Sequence, residues 1–186
     1  MRIISGNFKG KKILEPKDIY TRPLKDLTKE SIFNIINHSN KFKIKIEGSV
    51  ILDLFSGVGS FGIECLSRNV EKVYFVENYK NVLPILKKNL SSLKLINNFE
   101  IIEKNIYNEE IFENFNKIFD IIFLDPPYKD KNIEKTLLKI KASNILKNNG
   151  VLILHRHKKD KENFSDKIKI IEEKIYGISK IIFFNF

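Results

Sequence analysis

The stretch Val50-Ile51-Leu52-Asp53-Leu54-Phe55-Ser56-Gly57-Val58-Gly59-Ser60-Phe61-Gly62 decides the fold of this chain. Its first five residues are an apolar run that predicts a buried parallel strand, and residues 60–68 predict a short helix. The three glycines fit the G-x-G-x-x-G spacing in the strand-to-helix context that indicates nucleotide binding. In an open α/β sheet, such a loop lies at the carboxyl edge of the strands, where ligands bind.

A strand–helix alternation continues from this unit. Apolar runs predict further strands of the same direction at 73–76, 99–102, 120–124 and 151–154. Helical spacing predicts helices at 81–90 and 132–146, the second ended by Asn149-Gly150, and a weak helix near 109–115. Strands at 169–175 and 180–186 have too short a connection for a crossover, so they form an antiparallel hairpin. The prediction is an α/β, Rossmann-like fold: a seven-stranded, mostly parallel sheet with one reversed strand and helices on both faces.

Two smaller elements precede this core. Residues 1–14 predict a basic β-hairpin, because two β-prone ends flank a centre in which Gly6, Asn7 and Gly10 can adopt positive φ. This hairpin is either a nucleic-acid arm or a solvated edge hairpin. Residues 22–38 predict a helix with Pro23 in its first turn. No repeat or low-complexity linker separates these elements from the core at 48–186, so we interpret residues 1–186 as a single domain.

The charge balance favours a polyanionic partner. The 186 residues include 33 Lys and Arg against 23 Asp and Glu, which gives a formal net charge of +10. Nucleic acid is the first candidate for such a partner. Most of these cations are Lys in a chain rich in Ile and Asn, so base composition of the coding sequence is an alternative source of the excess.

Several classes of protein are disfavoured. A single cysteine, Cys65, excludes an intrachain disulfide and suits the reducing cytoplasm. No apolar run approaches the length of a membrane span, and the N-terminus becomes basic too soon for a secretory signal. The segment His155-Arg156-His157 has no third metal ligand, so we predict no metal and assign it no role, although its cations could contact phosphate.

Two acidic residues at strand ends indicate the kind of nucleotide. Glu77 follows the second strand, about 20 residues after the glycine loop, where an acid can accept both ribose hydroxyls. Asp53 would repel a pyrophosphate but suits a cationic group, such as the amino end of S-adenosylmethionine. The alternatives are that Gly57 serves only a tight turn and that Glu77 stabilises a helix start. Together these residues favour a bound adenosine.

The stretch Asp120-Ile121-Ile122-Phe123-Leu124-Asp125-Pro126-Pro127-Tyr128 is the candidate acceptor site. The prolines cannot continue the strand, so it ends in a stiff loop. The Asp125 carboxylate and the Pro126 carbonyl offer two acceptors to one NH₂ group, and Tyr128 can stack on a base. Accepting both hydrogens directs the amine lone pair toward an incoming methyl group, a reaction that depends on positioning. We predict these three residues to be catalytic; the alternative is an ordinary Pro-rich turn.

With these motifs, the sequence resembles the RsmD-type methyltransferases, which methylate the exocyclic N2 of a guanine in 16S ribosomal RNA. The resemblance covers nearly the whole chain. Its carriers are Met1–Gly6 with Phe8-Lys9-Gly10, Arg22-Pro23 with Asp26, Glu30, Phe33 and Asn34, Asp53–Gly59, Glu77, Asn105, Asp125–Tyr128 and Tyr176-Gly177. The chain departs from the family pattern in two regions. Leu24 replaces the usual Thr after Arg-Pro, and the helix that follows has Lys25, Leu27 and Lys29 where the family has more Arg. After the fifth strand, His155-Arg156-His157 stands where an acid is common.

The resemblance implies a role for each matching residue. The methionine part of S-adenosylmethionine would be held by Asp53, Phe55, Gly57 and Gly59, the ribose by Glu77 and the adenine edge by Asn105. The helix that carries Glu30 and Asn34 would close the cofactor pocket. The substrate, 16S ribosomal RNA or an assembling small subunit, is expected to meet Pro127, Arg22 and the hairpin residues Arg2, Lys9, Lys11 and Lys12. The expected protein is a monomeric cytoplasmic enzyme that extrudes its target base.

Three other functions remain open. A DNA adenine-N6 or cytosine-N4 methyltransferase would use the same amine chemistry, but the chain has no inserted target-recognition domain. A non-catalytic RNA-binding assembly module would not need the intact Asp125–Tyr128 motif. A dinucleotide oxidoreductase would match the glycine loop, but Asp53 and the Pro-Pro loop disfavour it.

Overall fold

Seven strands form one sheet. In this computed structural model, which describes residues 1–16, 24–108, 110–113, 115–127, 130–161 and 164–186, the strands are β1 (Val50–Leu54), β2 (Lys72–Val76), β3 (Phe99–Ile102), β4 (Phe119–Leu124), β5 (Leu146–His157), β6 (Ile170–Tyr176) and β7 (Ser179–Phe184). Their order across the sheet is β3-β2-β1-β4-β5-β7-β6. Among the described strands, β7 is reversed relative to the other six, and it pairs antiparallel with both β5 and β6. The predicted sheet with one reversed strand is confirmed.

The strand order places the switch point of the sheet between β1 and β4. From β1 the chain moves outward through β2 to β3, and then returns to the other side of β1 as β4. Both pairings of β1 are parallel. A crevice therefore opens beyond the carboxyl ends of β1 and β4, which is where this class of sheet binds ligands.

In the part of the chain that the structure describes, four helices cover the sheet: α1 (Asp26–His38), α2 (Ser60–Ser67), α3 (Leu83–Ser91) and α4 (Ile133–Ala142). Because side chains alternate along a strand, Ile51 and Ile121 face a core that includes α1, α2, α3 and the N-terminal segment. Their neighbours Leu52 and Ile122 face a second core with α4. Both faces of the central strands are thus buried, as in other parallel sheets. Within the described residues, no helix is long and apolar enough to cross a membrane.

The boundary between α4 and β5 differs from the prediction. The helix predicted for 132–146 ends at Ala142. Two residues later, Asn144 adopts a left-handed φ of 50°, and β5 begins at Leu146. Leu146 pairs with Phe119, but the next partners are Ile121 and Val151, so residues 147–150 form a bulge in β5. The apolar residues of 132–146 have helical spacing up to Leu146, but the backbone of Leu146 pairs with β4 and is therefore part of a strand.

Gly150 lies inside this bulge and does not end the helix as predicted. A Cβ at Gly150 would lie 2.8 Å from the Leu146 side chain and 3.0 Å from the Asp120 carbonyl oxygen. Asn185 donates hydrogen bonds to the carbonyls of Asn148 and Gly150, at 3.1 and 2.6 Å. Gly150 is therefore explained by close packing of the backbone rather than by a helix stop.

The weak helix predicted near 109–115 is also absent from the residues described there: residues 110–113 form turns, and residue 115 has no regular secondary structure. Ile111 and Phe112 are nevertheless buried in the second core, beside α4. The apolar residues that suggested a helix cover the sheet from an irregular segment instead.

The N-terminal hairpin is short and closely docked. One antiparallel bridge joins Arg2 to Lys12, and the segment lies against the C-terminal end of α2. Gly6 has a φ of 80°, and a Cβ there would lie 1.7 Å from the carbonyl oxygen of Ser67. The predicted positive φ of Gly6 is confirmed, and the same glycine permits this backbone contact.

A buried carboxylate fastens the same hairpin to two helices. Glu64 of α2 accepts hydrogen bonds from the backbone N–H groups of Ile4 and Ser5, at 2.7 and 3.0 Å. Its carboxylate also pairs with Arg68 at 2.8 Å and with Lys29 of α1 at 3.6 Å. Burial lowers the pKa of Lys29, an effect that its acidic neighbours oppose. The hairpin is thus part of the folded domain rather than a free arm.

Candidate active site

A cavity of about 750 Å³ opens at the carboxyl ends of β1, β2 and β4. Its volume lies within the range of small-molecule sites. The wall is mixed, with acids and amides as polar groups and several aromatic rings. The acids and amides that line it are Asp53, Glu77, Asn78, Asn105 and Asp125, and the aromatic residues are Phe55, Phe61, Tyr79, Tyr107 and Phe123.

The glycine loop between β1 and α2 forms one side of the cavity. Gly59 lies in the left-handed region, with φ of 84°, and a Cβ there would lie 2.6 Å from the Leu86 side chain of α3. Gly62 has a different role, because a Cβ there would lie 2.3 Å from the Phe75 ring of β2. The loop therefore combines a left-handed turn with close packing of α2 on the sheet, as the fingerprint requires. Gly57 and Phe55 of this loop line the cavity, whereas Gly59 does not.

Asp53, at the end of β1, lies on the floor of the cavity. It is 1% exposed, and its Oδ2 accepts a hydrogen bond from the backbone N–H of Gly62 at 3.0 Å. Burial raises the pKa of this carboxyl well above its ordinary value, and the charges of Asp125 and Glu77 raise it too, whereas the Gly62 hydrogen bond opposes the shift. A cation that entered the cavity would offset this unfavourable burial of negative charge.

Glu77, at the end of β2, holds the glycine loop as well as facing the cavity. Its Oε2 accepts the Gly57 N–H at 2.7 Å, and its Oε1 accepts the N–H groups of Asn78 and Tyr79, each at 2.8 Å. A carboxylate offers about four lone-pair sites. These three donors leave about one lone-pair site, on Oε2, for a ribose hydroxyl. The sequence had predicted that Glu77 accepts hydrogen bonds from both ribose hydroxyls.

Asn105 and Tyr107 form the wall that follows β3. The Asn105 side chain is exposed, and its Oδ1 accepts the Tyr107 N–H at 3.0 Å. The Tyr107 ring lies against Phe55, with ring centroids 5.8 Å apart, and its hydroxyl donates to Asp130. Burial raises the pKa of Tyr107, and the bond to Asp130 adds to that effect. Nothing in the sequence indicated a role for Tyr107 except its position, two residues after the predicted adenine contact Asn105.

Asp125, Pro126 and Pro127 line the mouth of the cavity. The Asp125 N–H donates to the Leu54 carbonyl at 3.3 Å, which continues the pairing of β4 with β1 by one residue. Pro126 is buried and Pro127 is exposed. The predicted stacking residue Tyr128 and the predicted substrate contact Arg22 lie outside the described residues. The structure therefore brings Asp125 into the same cavity as Asp53 and Glu77.

The end of β5 contributes two residues to which the sequence gave no role. His155 Nδ1 lies 2.8 Å from Asp125 Oδ1. Arg156 donates to the carbonyls of Pro127 and Asp130, at 3.1 and 3.2 Å. Both carbonyls belong to the loop that follows β4 from Asp125, which we call the acceptor loop. The indication was present in the register: Leu124 and Leu154 are partners in the parallel β4–β5 pair, so the next residues, Asp125 and His155, become neighbours.

Three predicted cofactor residues do not line this cavity: Gly59 of the glycine loop, and Glu30 and Asn34 of α1. Glu30 and Asn34 are exposed and do not line it. The reason is helical spacing: α1 turns Lys29, Ile32 and Phe33 inward, so positions 30 and 34 face solvent. Leu24, just before α1, is the contribution of this region to the cavity wall.

The predicted RNA contacts on the hairpin lie in different environments. Lys9 and Lys12 are exposed. Lys11 is half-buried and donates to the Ser92 carbonyl, while Arg2 lies 3.8 Å from Asp26. Lys9 and Lys12 are therefore the hairpin cations most available to a polyanion. Among the described residues, no group of three or more His, Cys, Asp or Glu is arranged to hold a metal ion.

Comparisons with known proteins cover almost the entire chain. The family model described as "Conserved hypothetical protein 95" matches residues 1–185. Ribosomal RNA small subunit methyltransferase D of Buchnera aphidicola subsp. Baizongia pistaciae is 35% identical, over 84% of this chain and 76% of that protein. A tRNA (guanine-N(7)-)-methyltransferase of Mycoplasmopsis pulmonis is 34% identical, over 73% of this chain and 66% of that protein. The structure of a conserved hypothetical protein of Streptococcus pyogenes aligns with a TM-score of 0.71 at 29% identity, over 85% of this chain and 95% of that chain.

Proposed function

Because the chain belongs to the family of the conserved hypothetical protein 95 model, the RsmD-type methyltransferases, we propose that it transfers a methyl group from S-adenosylmethionine to the exocyclic N2 amine of a guanine in 16S ribosomal RNA. The observation that carries the proposal is the position of Asp125. Its carboxylate lines the mouth of a cavity whose floor holds Asp53 and whose side holds Glu77. An amine acceptor would thus meet the cofactor at the switch point of the sheet.

The residues of the cavity fit S-adenosylmethionine. Asp53 is a buried carboxylate beside a glycine loop, and it would pair with the cationic amino group of the methionine part. The remaining acceptor on Glu77 Oε2 would take a ribose hydroxyl. Asn105 and the rings of Phe55 and Tyr107, which are tilted 55° to each other, form an apolar wall with a polar end that would take an adenine. When bound, the cofactor supplies a methyl group on a sulfonium, an electrophile that requires no metal.

Asp125 and Pro126 would orient the accepting amine. An exocyclic amine conjugated to a base has two hydrogens in the ring plane and a delocalised lone pair. Asp125 would accept one hydrogen and the Pro126 carbonyl the other, so that the lone pair points toward the methyl group. The N–C bond would form as the C–S bond breaks, which leaves S-adenosylhomocysteine as the thioether product, and the amine would pass its surplus proton to the Asp125 carboxylate. N2 lies on the base-pairing edge, so the guanine must leave its stack to reach Asp125.

A ring-nitrogen target is the alternative raised by the guanine-N7 relative. Guanine N7 carries no hydrogen and its lone pair already lies in the ring plane, so a pair of hydrogen-bond acceptors would have nothing to bind there. The Asp125–Pro127 segment, with its carboxylate at the cavity mouth, therefore favours an exocyclic amine. Adenine N6 and cytosine N4 are also exocyclic amines, and the comparison with the 16S enzymes argues for guanine N2 over these.

The experiment is methyl transfer to defined nucleic acids. Purified protein with labelled S-adenosylmethionine is given unmodified 16S ribosomal RNA, small subunits, transfer RNA or duplex DNA in parallel. We expect N2-methylguanosine in the digested 16S RNA or subunit RNA, measured by mass spectrometry. Label only in 7-methylguanosine would overturn the amine target, and label only in DNA or transfer RNA would overturn the ribosomal substrate.

A further inference from the structure

The Asp125–His155 contact follows from the pairing of two strands. β4 and β5 are parallel neighbours, and their last common pair is Leu124 with Leu154. The next residue of each strand carries a polar side chain, and these meet with Asp125 Oδ1 2.8 Å from His155 Nδ1. Both side chains are well shielded, at 19% and 8% exposed. A contact of this length within a shielded pair is a well-formed hydrogen bond.

His155 lies behind Asp125 and not in the cavity. Asp125 lines the cavity and His155 does not. An ionised carboxylate can only accept, so the hydrogen in this bond resides on Nδ1, whichever protonation state the ring has. His155 therefore occupies Oδ1 and limits rotation of the carboxylate about its χ2 bond. Oδ2 is the oxygen that stays available to a ligand.

Arg156 fixes the main chain of the same loop. Its guanidinium donates to the carbonyls of Pro127 and Asp130, and its Nε lies 3.4 Å from Asp160 Oδ2. The Arg156 side chain is 4% exposed. Two successive residues of β5 thus contact the acceptor loop, one through the Asp125 carboxylate and one through backbone carbonyls. With the loop main chain held by Arg156, the His155 bond can set the direction of the carboxylate.

We propose that His155 is a positioning residue for methyl transfer: its Nδ1–H fixes Oδ1 of Asp125 so that Oδ2 accepts a hydrogen of the target amine. The proposal rests on the function given above. Catalysis by positioning is sensitive to small displacements, and an error of about 1 Å can cost about 10²-fold in rate. Loss of this donor should therefore lower kcat much more than it changes binding.

Two amide variants of His155, similar in polarity, test whether activity depends on the position of the hydrogen-bond donor or only on the presence of a polar group. In His155→Asn, the amide nitrogen occupies nearly the place of Nδ1, whereas in His155→Gln it lies one bond farther from the backbone. We expect His155→Asn to keep kcat within about 3-fold of wild type and His155→Gln to lose about 10- to 100-fold. Both should bind S-adenosylmethionine and RNA within about 2-fold of wild type. The matched control is His157→Asn, on the same strand, which should leave kcat unchanged.

Equal kcat values for the Asn and Gln variants, in folded proteins that bind the cofactor normally, would overturn the proposal. Wild-type protein that transfers no methyl group to any of the substrates would instead overturn the proposed function. An activity-independent measurement keeps the two apart. We expect a downfield imidazole N–H proton resonance in the wild-type protein that is lost in Asp125→Ala. A His155 ring that lacks a proton on Nδ1, or whose resonance is unchanged in Asp125→Ala, would contradict the contact and the positioning role with it.

Discussion

Asp53 and Gly62 are joined across the glycine loop by a hydrogen bond of 3.0 Å, from the Gly62 N–H to Oδ2 of Asp53. The bond ties the end of β1 to the first turn of α2. It is also the hydrogen bond that favours the charged form of Asp53, whose pKa is raised by burial and by nearby acids. The residue at the base of the cavity is thus held in place by Gly62, and a bound cation would offset the cost of burying its charge.

The first prediction concerns the stability of Asp53→Asn. A carboxyl whose pKa is raised on folding contributes stability at low pH, and this contribution is lost as the pH rises from its unfolded value through its folded value. Asn keeps an acceptor for Gly62 and carries no charge. We therefore expect Asp53→Asn to melt about 2–4 °C above wild type at pH 8, or about 1 kcal/mol for a chain of this size. The difference should shrink toward pH 4, as followed by thermal melting without cofactor.

The same variant should bind S-adenosylmethionine more weakly. Removing the Asp53 charge deletes the proposed partner of the amino group, and we expect a loss of affinity of about 10-fold or more, since a hydrogen bond to a charged group contributes about 1.5–3 kcal/mol. Isothermal titration calorimetry measures it. Unchanged affinity, or a variant that melts below wild type at pH 8, would show that Asp53 has a structural role only.

The second prediction concerns Asp125. Asp125→Ala removes the acceptor for the amine but leaves the cofactor wall of Phe55, Glu77 and Asn105 intact. We expect kcat to fall by about 10²- to 10³-fold, the usual effect of losing one well-placed polar group. Cofactor affinity should stay within about 2-fold. Asp166→Asn, at an exposed acid, is the control and should be fully active; near-normal turnover by Asp125→Ala would rule out the mechanism.

The third prediction compares two glycines of the hairpin. Gly6 and Gly10 have similar φ values, 80° and 85°, but only Gly6 faces a neighbour, since a Cβ at Gly10 would meet nothing within 4 Å. Gly10→Ala should cost about 1–2 kcal/mol from the left-handed backbone. Gly6→Ala adds a clash with the Ser67 carbonyl and should cost about 1–3 kcal/mol more. Urea unfolding measures both; equal losses would mean that the packing against Ser67 relaxes easily.

The fourth prediction concerns RNA binding by the hairpin. Lys9→Glu with Lys12→Glu should weaken RNA binding and reduce the slope of log K against log salt by about 0.7–0.9 for each phosphate that the variant no longer neutralises. The matched control is Lys43→Glu with Lys45→Glu, exposed cations beside the amino-end edge of β1. Filter binding at several KCl concentrations measures both pairs. An equal weakening of RNA binding in the two pairs would assign the effect to net charge alone.

The sequence predicted the features that depend on local pattern. The bounds of β1 and β3 agree with the structure to the residue, because each is an apolar run closed by polar or turn residues. The glycine loop and the acids Asp53, Glu77 and Asp125 line one cavity, since parallel strands bring their carboxyl ends to the same edge. The strand bounds could be predicted from neighbouring residues, and the grouping of the acids could be predicted from the direction of the strands.

The predictions failed where tertiary contacts decide. Leu146 continues a helical pattern in the sequence, but its pairing with Phe119 makes it the first residue of β5. His155 and Arg156 looked like a solvated strand end, because their partners Asp125 and Pro127 are about 30 residues earlier in the chain. A prediction that aligned β4 with β5 residue by residue would have found the His155 contact.

The position of β7 has a consequence for synthesis of the protein on the ribosome. One edge of β5 is hydrogen-bonded to β4, and its other edge is hydrogen-bonded to β7. Because β7 follows β6 in the chain, it leaves the ribosome only after β6 has been synthesised. During that interval a strand edge and the apolar residues beneath it stay uncovered, and exposed edges of this kind promote aggregation. A nascent chain stalled before residue 179 should therefore depend on chaperones, whereas one that has released β7 should not.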